Sequence, residues 1–168
     1  MGQSGAVKVD LTSILTSALD LATAQAALTY LKSIALTDGT GADQADQVWH
    51  DQRTLGASAT ENLDLAGSLT NALGATVTFA RVKAILVFAA VGNTNNVQVG
   101  GAASNGFINW VASATDIINV RPGGLFLLVA RDATAYAVTA GTGDILKMTN
   151  SSGSTSVTYD IILIGATA

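Results

Sequence analysis

Four clusters of turn-forming residues punctuate the second half of this chain: GNTNN at Gly92 to Asn96, PGG at Pro122 to Gly124, AGTGD at Ala140 to Asp144 and NSSGST at Asn150 to Thr155. Glycine supplies positive φ, proline presets φ, and Asn, Asp and Ser bond to nearby backbone, so each cluster ends a regular element within a few residues. The intervals between them are short and rich in β-branched and aromatic residues, with no room for a crossover helix. Such spacing predicts antiparallel strands and argues against a βαβ architecture.

On this pattern, strands are expected near Val48 to Leu55, Glu61 to Leu65, Thr76 to Phe88, Asn96 to Val99, Ile117 to Arg121, Leu125 to Ala130, Tyr136 to Thr139, Ile145 to Asn150 and Ser156 to Ile164. The chain of 168 residues suits one domain with an extension. The expected fold is mainly β: an antiparallel, jelly-roll-like β-sandwich body over 48–168, preceded by an N-terminal arm and connector over 1–47. In the last strand, alternation puts Val157, Tyr159, Ile161 and Leu163 on one face and Thr158, Asp160, Ile162 and Ile164 on the other. In TVTFARVKAILVFAA, Arg81 and Lys83 oppose Val82 and Ala84 before the pattern turns wholly apolar at Ile85. Strands apolar on both faces are expected where a second layer or a neighbouring subunit covers them.

The arm reads less clearly. DLTSILTSALDLATAQAALTYLKSIAL, from Asp10 to Leu36, is rich in Ala and Leu and has neither Gly nor Pro. Leu15, Ala18, Leu19, Ala22, Ala26, Leu28 and Leu31 approximate a helical stripe, whereas Tyr30, Lys32, Ile34 and Leu36 alternate as a strand. The expectation is a short helix near Asp20 to Leu28, capped by Asp20 or Thr23, followed by a strand from about Thr29 to Leu36.

Only 12% of residues are charged, about half the usual share for a soluble domain. The polar surface must come from Thr, Ser, Asn and Gly, residues that suit turns and surfaces buried in an assembly. The net charge is −4 and the eight Lys and Arg residues form no stripe, which argues against nucleic-acid binding. The longest apolar runs, Ala84 to Val91 and Leu125 to Ala130, are far short of the roughly 20 residues of a spanning helix, so no membrane association is expected. The N-terminus lacks the basic and continuous apolar regions of a secretory signal. With no cysteine in the chain, disulfides and thiolate chemistry are excluded.

The stretch DGTGADQADQVWHDQRTL, Asp38 to Leu55, gathers Asp38, Asp43, Asp46 and Asp51 with His50, the one histidine. A Ser-His-Asp triad would need His50 as base, yet neighbouring Asp51 points to the opposite face of a strand, and no G-x-S-x-G elbow presents a serine. The acids do not follow the spacing of a calcium loop. Both GTG sequences lack the rest of a nucleotide-binding motif and read as turns. No catalytic residue, cofactor or metal is therefore expected, and the stretch reads as a polar junction continuing into the first body strand. There Val48, His50 and Gln52 should face one way and Trp49, Asp51 and Arg53 the other, with Asp51 and Arg53 as a same-face ion pair.

Taken together, DQVWHDQRTLGASATENLDLAGSLTNALGATVTFARVKAILV, NNVQVGGAASN, VRPGG, YAVTAGTGDILKMTNSSGS and VTYDIILIG resemble a group of tailed-bacteriophage virion proteins, the capsid decoration or cement proteins. The resemblance covers nearly the whole chain, most firmly Asp46 to Gly165, and rests on turns and strand cores, so it carries no catalytic motif. It implies a non-enzymatic protein on the virion's capsid surface that clamps adjacent major capsid protein subunits and assembles with itself, a trimer suiting a threefold lattice position. Candidate interface residues are Tyr30 and Leu31 on the arm and Trp49 and Trp110 on the body. The alternative is a receptor- or glycan-binding module of a head or tail fibre, with the two tryptophans stacking on sugars.

Overall fold

A computed structural model describes residues 2–168 and shows a mainly β protein whose named strand pairings are all antiparallel. Thirteen strands follow in order: β1 (Gly5–Ala18), β2 (Thr23–Leu36), β3 (Gln47–Leu55), β4 (Thr60–Asp64), β5 (Leu69–Thr70), β6 (Thr76–Val77), β7 (Arg81–Ala89), β8 (Val97–Gly100), β9 (Ile117–Val120), β10 (Leu125–Val129), β11 (Tyr136–Ala137), β12 (Ile145–Asn150) and β13 (Val157–Ala166). Among the described residues there is no helix.

The expected helix at Asp20 to Leu28 is thus corrected. Residues 5–36 form a β-hairpin of two 14-residue strands joined at Leu19 to Ala22, where the Leu19 amide donates to the Ala22 carbonyl at 2.8 Å. The register pairs Gly5 with Leu36 and Ala18 with Thr23, without a bulge. Ala, Leu and Gln favour helix in isolation, but β1 supplies a full ladder of cross-strand partners, and tertiary pairing overrides a propensity worth only tenths of a kcal/mol per residue.

In the body, β10, β7, β13 and β3 lie side by side in that order, with β11 also paired to β7, while β4, β12, β8 and β9 form a second sheet. Both sheets feed one buried cluster. Tyr159, Ile161 and Leu163 enter it from β13, Ile85 and Val87 from β7, and Leu146 and Met148 from β12. The alternation expected for the last strand is observed: Val157, Tyr159, Ile161 and Leu163 are fully buried and Thr158, Asp160, Ile162 and Ile164 face away. The Tyr159 hydroxyl donates to the Glu61 carboxylate, tying β13 to β4. Burial, then the hydrogen bond to Glu61, push the Tyr159 phenol above its ordinary pKa.

The stretch expected as one strand from Thr76 to Phe88 is two. β6 pairs with β5, the chain crosses at Thr78 to Ala80, and β7 then enters the larger sheet. Just beyond it, a register shift between Ile164 and Gly165 falls opposite Lys83 of β7, and Gly165 pairs with Val82. Gly165 is required there, because a Cβ would lie 2.3 Å from the Arg81 carbonyl oxygen and 2.6 Å from the Phe79 ring.

The polar turns are knit to one another. Asn150, buried at the end of β12, donates through Nδ2 to the carbonyls of Gly56 at 2.9 Å and Thr155 at 2.7 Å. Its Oδ1 accepts from Asn95 Nδ2 at 3.0 Å, and Asn95 Nδ2 also reaches the Thr155 carbonyl at 3.0 Å. The Asn-rich clusters that ended strands in the sequence therefore satisfy each other's buried groups as well.

Candidate interaction surfaces

The acidic side chains of the junction are each committed to separate partners. Asp38 accepts from the Gln3 amide at 2.9 Å, and Asp46 accepts from the Thr167 amide and hydroxyl. Asp43 forms a two-point pair with Arg131 at 2.7 and 3.0 Å, and hydrogen bonding to that guanidinium holds the Asp43 carboxyl below the usual carboxylate range. The expected pair of Asp51 and Arg53 is present at 3.2 Å, with Glu61 at 3.8 Å from the same nitrogen. Both partners are over a third exposed, so the pair contributes about 0 to 1 kcal/mol. Among the described residues no group of three or more His, Asp or Glu side chains is placed to hold a metal ion.

Lys83, on β7, is the residue whose grip on the connector the sequence did not reveal. It is completely buried, and its ammonium donates to the carbonyls of Gly41, at 3.1 Å, and Asp132. Arg81 reaches the carbonyls of Thr40 and Ala133, so the two cations bind the Thr37 to Asp46 connector to the segment after β10. Burial, with Arg81 nearby, lowers the Lys83 pKa. The signal in the sequence was a lysine inside an otherwise apolar strand, which must find acceptors once buried. Replacing Lys83 with Met leaves two carbonyls without their charged donor, worth about 1.5–3 kcal/mol locally. Hydrogen exchange at the Asp43 and Ala45 amides should accelerate roughly 10- to 100-fold, with the β13 amides unchanged. Unchanged exchange at Asp43 and Ala45 would show that Arg81 and Arg131 hold the connector alone.

Beyond the connector, the hairpin stands largely in solvent. Its paired register puts Val7, Ile34, Val9, Leu11, Tyr30, Ser13, Leu28 and Leu15 on one face, which carries Lys32 as its single charge. The other face carries Lys8, Asp10, the Thr12–Thr29 pair, Thr16 and Gln25, with Leu31 and Ile14 as its large apolar members. Near the root the apolar face turns inward, with Leu36 buried and Val7 and Ile34 half-buried. Farther out Leu11, Leu15 and Leu28 are 50%, 74% and 53% exposed, and Leu21 at the tip is fully exposed. At about 3.4 Å per residue the ribbon is roughly 48 Å long.

Of the candidate interface residues, Tyr30 and Leu31 are exposed on this arm but point to opposite faces. Trp49 is corrected: it is 2% exposed within the central cluster, with the Arg53 guanidinium 5.7 Å from the ring centroid, and presents no surface anchor. Alternation named the face Trp49 shares with Asp51 and Arg53; it could not say that this face is the inner one. Trp110 is half-buried, stacked at a tilt on Phe126 with centroids 5.6 Å apart, and its indole N–H donates to the Phe107 carbonyl.

A second apolar surface lies on the outer face of the larger sheet. The registers align Leu125 with Phe88 and Asp160, Leu127 with Leu86 and Ile162, and Val129 with Ala84 and Ile164. Val48 and His50 extend these rows at the β3 edge. Leu125 is 59% exposed and Ile162 and Val48 36% each; Leu86, Phe88, Leu127 and Ile164 are half-buried. The face, four strands by about five residues, spans roughly 300 Å²; Ala84 at one end is buried, and Asp160 at the other accepts from Gln52. A cleft of about 470 Å³ adjoins it, lined by Gln3, Val48, His50, Asn71 and Leu73 among others. Its titratable members are His50 and Asp46, and the latter is bonded to Thr167.

Comparison with protein-family models, curated proteins and solved structures finds no match for this chain.

Proposed function

We propose that this chain is a non-enzymatic structural protein of a bacteriophage virion, a capsid decoration protein that docks on the outer surface of the head lattice and stabilises adjacent major capsid subunits. Its body is read as a jelly-roll-like sandwich of the two main sheets. The observation that carries this reading is the pair of large apolar surfaces left open, the arm and the outer sheet face, on a chain of low charge. Contiguous exposed apolar area of several hundred Å² marks association surfaces. The sequence resemblance to decoration proteins supplies the partner, and the junction acids are held in separate bonds, Asp38 to Gln3, Asp43 to Arg131, Asp46 to Thr167 and Asp51 to Arg53.

In this reading the outer sheet face meets the lattice and the arm reaches a neighbour. Purified protein added to expanded heads that lack it should bind at saturable stoichiometry and raise the temperature at which the heads rupture. Cryo-electron microscopy should then place it outside the shell. Ile162→Glu, which puts a charge at the centre of the outer face, should weaken occupancy at least tenfold while the body's unfolding transition is retained. Heads that neither bind the wild-type protein nor gain stability would overturn the assignment.

A further inference from the structure

We infer that the apolar face of the hairpin is a self-association surface, packed in the assembled protein against the same face of other copies of this chain, with the arms parallel to a shared symmetry axis. The inference rests on the homo-oligomeric part of the reading above and names the contact that would make it.

A lone two-stranded hairpin is marginally stable in water, and this one exposes most of its larger apolar side chains on one side, with Leu31 and Ile14 on the other. Some partner must cover them. Facing ribbons about 48 Å long and 10 Å wide would bury roughly 1,000 Å² for each pair, the lower bound for a specific interface. The face is nearly free of charge. Its one cation, Lys32, lies 5.7 Å from the Tyr30 ring centroid on the same face, and its long stem can carry the ammonium to the rim.

The side-chain sizes favour a second copy. At two successive levels of the apolar face one strand carries a large residue and the other a small one, with the sides exchanged: Ser13 pairs with Leu28, then Leu15 with Ala26. In a cyclic assembly with arms parallel to the axis, β1 of one copy lies beside β2 of the next at the same level. Leu28 then meets Ser13 of the neighbour and Leu15 meets its Ala26, the large-against-small interdigitation that well-packed layers use. A surface complementary to itself under rotation closes a ring instead of growing a filament. The reverse face, with Lys8, Asp10 and its threonines, stays available to water.

The test uses the full chain without any capsid. Sedimentation equilibrium of the wild type at micromolar concentration should show a closed oligomer. The double variant Leu11→Glu with Leu28→Glu should sediment as a monomer, at least a hundredfold weaker in self-association, with the body's unfolding transition unchanged. The control pair Thr12→Glu and Thr29→Glu, on the reverse face, should remain oligomeric. Because the chain has no cysteine, mixed Ser13→Cys and Leu28→Cys proteins should be joined by a short bismaleimide, whereas Thr12→Cys mixed with Thr29→Cys should not. A monomeric wild type would overturn the inference, as would one that instead floats with phosphatidylcholine vesicles. An oligomer indifferent to Leu11→Glu with Leu28→Glu, or one cross-linked through the reverse face, would overturn it too. If this contact holds and head binding fails, the capsid assignment falls alone; if heads bind a monomer, this inference falls alone.

Discussion

Replacing Trp49 with alanine is expected to lower the body's unfolding free energy by about 3–5 kcal/mol, the usual cost of deleting a large buried aromatic. The ring is 2% exposed and belongs to the central cluster, and its strand neighbour Leu163 is itself fully buried. Against a total stability of about 5–15 kcal/mol, such a loss removes between about a fifth and nearly all of the margin. Urea denaturation should show the midpoint falling with an unchanged slope, and Trp49→Phe should recover part of the loss. A midpoint within experimental error of the wild type would mean that the ring is not part of the core. This expectation also bears on the glycan-binding alternative: loss of sugar binding in the alanine variant would report unfolding and not a lost stacking platform. Trp110, half-buried, is the tryptophan whose substitution can speak to a surface role.

A loss of similar size, about 3–5 kcal/mol, is expected for Asn150→Leu, from a different cause. The leucine nearly matches the amide in shape but leaves the Gly56 carbonyl and the Ser152 amide without their side-chain partner, and it removes one bond each from the Thr155 carbonyl and Asn95 Nδ2, which keep the bond between them. Each buried group left unpaired costs about 1–3 kcal/mol. Asn95→Ala should cost less, since the Thr155 carbonyl keeps its bond from Asn150. Thermal unfolding of both variants checks the ranking. Equal losses would mean that the two amides act as one unit, and a neutral Asn150→Leu would mean that water replaces the missing bonds.

The body was legible because its strands are bounded by residues with strong local geometry. Ile145–Asn150 ends where the NSSGST cluster begins, and β10 starts straight after PGG. Where such signals are missing, the reading failed. The hairpin turn at Leu19 to Ala22 contains no Gly, Pro or Asn, its one turn-forming residue, Asp20, suits a helix cap equally well, and the Ala-rich return strand carried a helical stripe by coincidence of spacing. Leu69–Thr70 is too short to leave a periodic trace. The break inside Thr76 to Phe88 depends on which sheet each half joins, a long-range fact without local marking. For the candidate surfaces, alternation sorted residues into faces correctly in β13 and β3 but could not tell core from solvent where both faces are apolar. Lys83 illustrates the same limit: its acceptors, Gly41 and Asp132, come from segments over 40 residues away in opposite directions.

The place of β13 in the larger sheet has a consequence for how the protein is made. It is the last strand of the chain yet lies between β7 and β3, so those two strands share no ladder until residues 157–166 have been synthesised. On the ribosome, the rows of Leu86, Phe88 and Val48 wait as separate edges while the hairpin, whose strands emerge before them, can already pair locally. The arm therefore precedes the surface it is attached to, and in the self-association proposed above nascent chains would meet through their arms before any of them owns a finished sheet.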